Sequence, residues 1–193
     1  GNAAAYRADV RDRAALDAML GDASLRLGPI GALVCCAGVA QQKLFQDITD
    51  EDWDRMFDIN IKGVYRSIQA ALPYLMKRER SRIVTFSSMW GQVGASCESH
   101  YAASKGAVIA LTQSLAKELG PSGVRVNCVS PGTILTDMTA VLGQETLRAL
   151  AEETPLERNG SPEDAARAAA FLCSEAADFI TGQVVAVNGG YIV

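Results

Sequence analysis

Histidine is nearly missing from this sequence, with His100 as the single example. A multi-histidine metal site is excluded, and a Ser-His-Asp triad would depend on that one residue. Cysteine is present without organisation: Cys35, Cys36, Cys97, Cys128 and Cys173 form an odd set with no C-x-x-C pair and no metal-ligand spacing. Reduced intracellular thiols are the expectation. No apolar stretch reaches the roughly 18 to 20 residues of a membrane helix, and the first residues lack the apolar core of a signal peptide. A cytoplasmic protein without a membrane partner is expected. Positive charge is short as well: 18 Lys and Arg against 22 Asp and Glu leave a net charge of -4, the wrong sign for a polyanion binder. Nucleic acid is not expected as a partner. What is abundant is apolar residue, 49% of 193, enough to bury the core of one domain.

Along the chain, apolar runs alternate with helical patterns. Ala3 to Val10 reads as a short strand, and Arg11 to Leu27 carries helical spacing through Leu16, Met19, Leu20 and Leu25. Ile30 to Cys36 reads as a strand buried on both faces. Thr49, with Asp52 three residues on, opens a helix running to Lys77. Arg82 to Ser88 is the next strand, and after a loop a helix spans Tyr101 to Leu119. Gly120, Pro121 and Gly123 end it before the strand Val124 to Val129. Ser161-Pro162-Glu163-Asp164 is an N-cap with proline at the first helical position, and Gln183 to Val187 is the last strand. The alternation implies an α/β fold, a Rossmann-type doubly wound parallel sheet with helices on both faces.

In such sheets ligands bind beyond the carboxyl ends of the strands. Cys35-Cys36-Ala37-Gly38, Ser87-Ser88, Ser130-Pro131-Gly132-Thr133 and Asn188-Gly189-Gly190 all lie there. Tyr101 and Lys105, four apart on a helix, share one face, with Cβ atoms about 5 to 6 Å apart. An ammonium beside a phenol favours phenolate and lowers its pKa, which suits the phenol to acid-base chemistry. Alternatively Tyr101 only packs and Lys105 is solvated. Ser88, at the end of the preceding strand, tips the balance towards chemistry.

Ser88, Tyr101 and Lys105, together with Asn60 in Asn60-Ile61-Lys62-Gly63, resemble the catalytic residues of the short-chain dehydrogenase/reductase family. Cys35-Cys36-Ala37-Gly38 resembles its N-N-A-G turn, Ser130-Pro131-Gly132-Thr133 its P-G turn, and Val187-Asn188-Gly189-Gly190 its C-terminal signature. The motifs fall in family order over essentially the whole chain. The resemblance implies a carbonyl reduced to an alcohol by hydride from a nicotinamide cofactor. Tyr101 would be the proton donor, Ser88 would bond the carbonyl oxygen, Lys105 would hold the nicotinamide ribose, and Asn60 would support a water linking Lys105 to solvent. Asp9 and Val10 would lie near the adenine, unless Asp9 instead caps the following helix. Cys36, Ala37 and Gly38 would line the cofactor, and Pro131, Gly132, Thr133 and Thr136 would approach its nicotinamide carboxamide and phosphates. Cys35 and Cys36 depart from the usual asparagines, and His100 reads as a loop or substrate-facing residue.

The family's first two strands and glycine-rich turn have no counterpart here, so residues 1–193 are expected to be one incomplete Rossmann-type domain. In the family strand order 3-2-1-4-5-6-7, Ala5 to Ala8 would lose its neighbour and Ala32 to Cys35 would become an exposed edge. The pyrophosphate would lose its backbone amides, leaving weak cofactor binding and an inactive fragment. The missing region also carries the choice of cofactor, so NADP(H) is favoured by resemblance and NAD(H) stays open. Pro155 to Asp164 and Ile180 to Gln183 resemble bacterial 3-oxoacyl-[acyl-carrier-protein] reductases of fatty acid biosynthesis. These imply a small-molecule or carrier-protein-bound carbonyl substrate and a homo-oligomer, a tetramer or dimer. Thr136 to Glu153, with Met138, Leu142 and Leu147, resembles a substrate lid and equally an ordinary amphipathic helix. A sugar, steroid or small-alcohol dehydrogenase, or a non-catalytic fragment acting in assembly or binding, are the other readings.

Overall fold

The computed structural model describes residues 2–193, and Gly1, where the resemblance puts the start of the approach to the family's third strand, lies outside the described residues. In chain order the elements are α1 (Arg13–Leu27), β1 (Ala32–Cys35), α2 (Asp50–Phe57), α3 (Gly63–Leu75), β2 (Ser81–Phe86), α4 (Trp90–Val93) and α5 (Ser99–Leu119). Then follow β3 (Val124–Pro131), α6 (Asp137–Ala140), α7 (Gly143–Glu153), α8 (Pro162–Cys173) and β4 (Val184–Val187). The four strands are parallel and ordered β1-β2-β3-β4.

Strand alternation sends side chains to two separate cores. Ile83, Val126 and Cys128 face Leu16 and Leu20 of α1, Ile68 and Leu75 of α3, and Val108 and Leu119 of α5. Val84 and Val129 point the other way, onto Ala169 and Leu172 of α8. Helices therefore cover both faces, and each fully buried Leu, Ile or Val contributes about 1.5–3 kcal/mol. The capping signals hold in detail. Thr49 and Asp52 form a reciprocal capping box at α2, and Ser161 and Asp164 form another at α8, with Pro162 in its first turn.

Several sequence expectations need correction. Ala3 to Val10 forms no strand, because a strand needs a ladder partner and the free edge of β1 meets none among the described residues. That segment is instead tied to α1 by the Tyr6 hydroxyl, which donates to Asp22 at 2.6 Å. β1 is not buried on both faces: Val34 is 42% exposed, as an edge strand would be. The helix expected from Thr49 to Lys77 is interrupted by a π turn at Asp58–Lys62. The helix expected from Tyr101 starts at Ser99, after the additional short helix α4. Thr136 to Glu153 divides into α6 and α7, in which no residue is buried. No helix among the described residues is long and apolar enough to cross a membrane.

Candidate active site

The carboxyl ends of β2, β3 and β4 are stitched together by backbone bonds. Ser87 N donates to Val129 O, Met89 N to Pro131 O, and Gly132 N to Val187 O, at 2.9, 2.9 and 3.0 Å. Ser87 and Ser88 sit just past β2, both buried. The Ser87 hydroxyl donates to the Lys105 carbonyl at 2.8 Å, while the Ser88 oxygen accepts from Trp90 N at 3.2 Å. Gly91 makes the contact with α5 possible. A Cβ there would stand 2.7 Å from both the Lys105 carbonyl carbon and the Ser87 hydroxyl, closer than packed atoms allow.

Asn60 is carried into the site by the π turn. Such turns insert one residue into a helix and swing a side chain out of its regular row. The Asn60 side chain is fully buried and pairs with Val39 in both directions, accepting from its amide at 2.8 Å and donating to its carbonyl at 2.9 Å. Its amide nitrogen also lies 3.1 Å from the Ser104 hydroxyl, which in turn donates to the Tyr101 carbonyl at 2.7 Å. The turn after β1, the π turn and the first turns of α5 are thereby one hydrogen-bonded unit.

Tyr101 and Lys105 meet inside this unit, with Lys105 Nζ 5.8 Å from the centre of the Tyr101 ring. Lys105 is 6% exposed, and Phe86 O at 3.0 Å is its only acceptor among the described residues. Burial lowers its pKa to about 8. The expected lowering of the tyrosine pKa is not what the geometry produces. Burial pushes the phenol above its ordinary value, with the Ser88 hydroxyl pulling against it. A phenol in this setting stays protonated at neutral pH, the state a proton donor requires. Gly38 closes the cluster: a Cβ there would stand 3.3 Å from both Asn60 Oδ1 and Lys105 Nζ.

Comparison with known proteins identifies the family of the chain. Residues 1–192 match the family profile described as Enoyl-(Acyl carrier protein) reductase. The 3-oxoacyl-[acyl-carrier-protein] reductase FabG of Staphylococcus aureus is 38% identical over 186 residues, 96% of this chain and 76% of that protein. The human (3R)-3-hydroxyacyl-CoA dehydrogenase is 40% identical over 98% of this chain and 74% of its own length. The chain belongs to the short-chain dehydrogenase/reductase family. A solved member, the short-chain dehydrogenase/reductase described as glucose/ribitol dehydrogenase from Brucella melitensis, superposes with a TM-score of 0.94 at 41% identity, covering 98% of this chain and 76% of that one. As a short-chain dehydrogenase/reductase, the protein is an NAD(P)-dependent oxidoreductase.

The remaining residues singled out from the short-chain dehydrogenase pattern are placed unevenly. Asp9 does not cap α1. Asp12 does, accepting from Ala15 N at 3.1 Å. The Asp9 carboxylate is instead clasped by the Arg11 guanidinium and amide, which hold its pKa down to about 2. Val10 lies against α3, where a Cβ on Gly63 would come within 2.7 Å of its methyl. Cys36 and Ala37 border a hollow of about 290 Å³ beside the free edge of β1, with Tyr6, Val10, Leu33 and Val34 among its walls. The two adjacent cysteines differ: Cys35 is buried in the core with its thiol pushed up to about 12, whereas Cys36 is exposed. Both are free thiols. Pro131 ends β3, and Gly132 lets the loop after it pass Asn188, whose Cα would lie 2.8 Å from an added Cβ. Thr133 accepts from Gly160 N and Thr136 is the N-cap of α6, so both sit on the carboxyl-end loops but are engaged in local structure.

One polar group of this site, Ser104, carries no signal in the sequence, and two others, Ser87 and His100, take roles that their sequence positions did not indicate. Ser87 and Ser104 hold α5 through their hydroxyls. His100, expected in a loop or facing the substrate, is in a helix and bonded to Gln41. It occupies the first turn of α5, completely buried, with Nε2 at 3.0 Å from Gln41 Oε1.

Proposed function

We propose that this short-chain dehydrogenase reduces the keto group of a 3-oxoacyl thioester with NADPH, as a 3-oxoacyl-[acyl-carrier-protein] reductase of fatty acid biosynthesis. The observation that carries the reading is the buried Tyr101 phenol, next to buried Ser88 and with Lys105 Nζ 5.8 Å from its ring centre. The residues fit a nicotinamide dinucleotide: Lys105 has donors to spare, and Gly38 leaves open the space where a side chain would crowd Lys105 and Asn60. When bound, that cofactor supplies the hydride that becomes the new C–H bond of the alcohol.

The chain's own residues do the rest. Tyr101 gives its phenolic proton to the carbonyl oxygen, and Ser88 donates a hydrogen bond to the same oxygen as negative charge builds on it. Lys105 holds the nicotinamide ribose, and Asn60 supports the water path that returns a proton towards Tyr101. Asp9 and Val10 lie on the adenine side, Cys36, Ala37 and Gly38 line the cofactor, and Pro131, Gly132, Thr133 and Thr136 face its nicotinamide end. Leu135, Met138 and Val141 are exposed around α6 and offer apolar surface to an acyl chain. A cytoplasmic homo-oligomer, a tetramer or dimer, completes the reading. The solved relative described as glucose/ribitol dehydrogenase favours a second reading, a polyol or sugar dehydrogenase using NAD(H).

The test is a substrate panel of an acetoacetyl thioester, secondary alcohols, sugars and hydroxysteroids, with NADPH and NADH compared. It is run on this chain and on a form extended at its amino end by the glycine-turn segment of a relative, which supplies helix N-terminal amides to the pyrophosphate. Thioester reduction with NADPH by the extended form, and much weaker cofactor binding without the extension, are expected. Sugar oxidation without thioester reduction would replace the proposal by the second reading. Equal affinity and turnover in both forms would mean that these residues already make a complete cofactor site.

A further inference from the structure

Helix α5 presents Tyr101 in its first turn, yet its N-cap residue, Glu98, makes no side-chain capping bond. The loop after Gly38 holds that end instead. Lys43 N donates to Cys97 O at 2.7 Å, and Gln42 Nε2 donates to Glu98 Oε1 at 3.1 Å. Gln41 reaches His100, next to Tyr101.

The direction of that last bond follows from its surroundings. Asp52 Oδ1 accepts from Gln41 Nε2 at 2.9 Å, and Asp52 Oδ2 accepts from Lys43 Nζ at 2.6 Å and from Thr49 N at 3.1 Å. These donors hold the carboxyl far below its usual range, so it is ionised and accepts only. The Gln41 amide nitrogen must therefore face Asp52, and its oxygen must face His100. His100 must then donate from Nε2. Its Nδ1 is left as a bare lone pair, buried and without a partner among the described residues. Adding a proton there would create an imidazolium with no acceptor for it. Burial opposes that charge, Lys43 opposes it too, and Asp52 and Glu98 favour it without reversing the balance.

We propose that Gln41 is a positioning residue for Tyr101: oriented by Asp52, its amide fixes His100 as the neutral Nε2–H tautomer and fixes with it the first turn of α5. The inference rests on Tyr101 as the proton donor. A fixed neutral imidazole keeps the backbone that carries the phenol in register with the turn after β1. It also keeps a cation away from a phenol that must remain protonated.

Because His100 is the only histidine, a sample labelled with 15N-histidine gives a single imidazole signature. The wild-type chain is expected to show protonated Nε2 and bare Nδ1, and to take up a second proton only below the ordinary histidine range. Gln41→Ala should lose the single tautomer. Gln41→Glu, which sets a carboxylate against Nε2, should raise the imidazole pKa by about one unit or more. In both variants the 13Cζ resonance of Tyr101, assigned with Tyr101→Phe, should move, and thermal unfolding checks that each is folded. In the amino-terminally extended form Gln41→Ala should cut turnover about tenfold, as expected for one lost positioning bond, with the cofactor KM unchanged.

Overturning results are a proton on Nδ1 in the wild type, titration of His100 near its ordinary value, or a Tyr101 resonance unmoved in both Gln41 variants. If one variant does not fold, the other decides. The imidazole and phenol signals judge Gln41. Absence of thioester reduction in the extended wild type, with those signals as expected, would count against the reductase reading alone.

Discussion

The two sides of this site are built differently. Around Tyr101 and Lys105 every flanking element is bonded to another: β2 to α5 through Ser87, the π turn to α5 through Ser104, and the π turn to the turn after β1 through Asn60 and Val39. Beside β1, among the described residues, the same sheet ends in a free edge, a segment outside the sheet before α1, and a hollow walled by Val10, Val34 and Cys36. The side around Tyr101 and Lys105 is fixed by the chain's own long-range contacts, whereas the side beside β1, where the proposal puts the cofactor, presents surface. A rigid polar cluster tolerates little change, because each buried group removed leaves another unsatisfied. An open edge tolerates much more.

Substitution across the two sides should expose that contrast, beginning with the largest effect. Lys105→Met should lower turnover about a hundredfold or more, and it should also weaken cofactor binding, because the proposed function gives one ammonium both roles. Titrating NADPH and assaying turnover in the same variant checks both halves. Lys105 also gives a pH signature. With its folded pKa lowered from 10.5 to about 8, the folded chain binds fewer protons than the unfolded chain between those values. Stability therefore rises with pH through that window, and the cost of the buried ammonium is fully present below it. Unfolding temperatures of wild type and Lys105→Met, compared at a series of pH values, should show wild type gaining on the variant between about pH 8 and 10.5.

Gly91→Ala comes next. It forces a methyl against the Lys105 backbone and the Ser87 hydroxyl and should cost about 1–3 kcal/mol in denaturant unfolding. The cysteine pair carries the comparison within two adjacent residues. Cys35→Ser places a hydroxyl among apolar side chains and should destabilise by about 1–3 kcal/mol. Cys36→Ser should stay within about 0.5 kcal/mol. Thiol labelling near neutral pH should modify Cys36 and spare Cys35, whose pKa of about 12 keeps it a buried thiol.

The same contrast accounts for what could be read from the sequence. The strands and helices on the β2–β3–β4 side are legible because apolar runs and capping boxes such as Thr49–Asp52 and Ser161–Asp164 are local patterns. Tyr101 and Lys105, with Ser88, stand out by residue type and spacing, Asn60 only by resemblance to the family, and the fold brings the four into one cluster. Ser104 and Gln41 do not stand out, because their partners lie far along the chain and small polar residues carry no periodic signal. The π turn was hidden because one added residue hardly disturbs the apolar spacing of a long helix. The direction of the tyrosine shift was misjudged because spacing reports the neighbouring ammonium and not the burial that outweighs it. Ala3 to Val10 has the composition of a strand, but composition supplies no ladder partner.

Tyr101→Phe tests the central claim most directly, because it removes one hydroxyl and leaves the ring, Lys105 and the surrounding bonds in place. Measured in the amino-terminally extended form, NADPH affinity should stay within about twofold of wild type, while carbonyl reduction falls by about 10² to 10⁴, the usual contribution of a positioned acid. Reduction at the wild-type rate in this variant would contradict the account, since the proton would then come from a group other than the buried phenol.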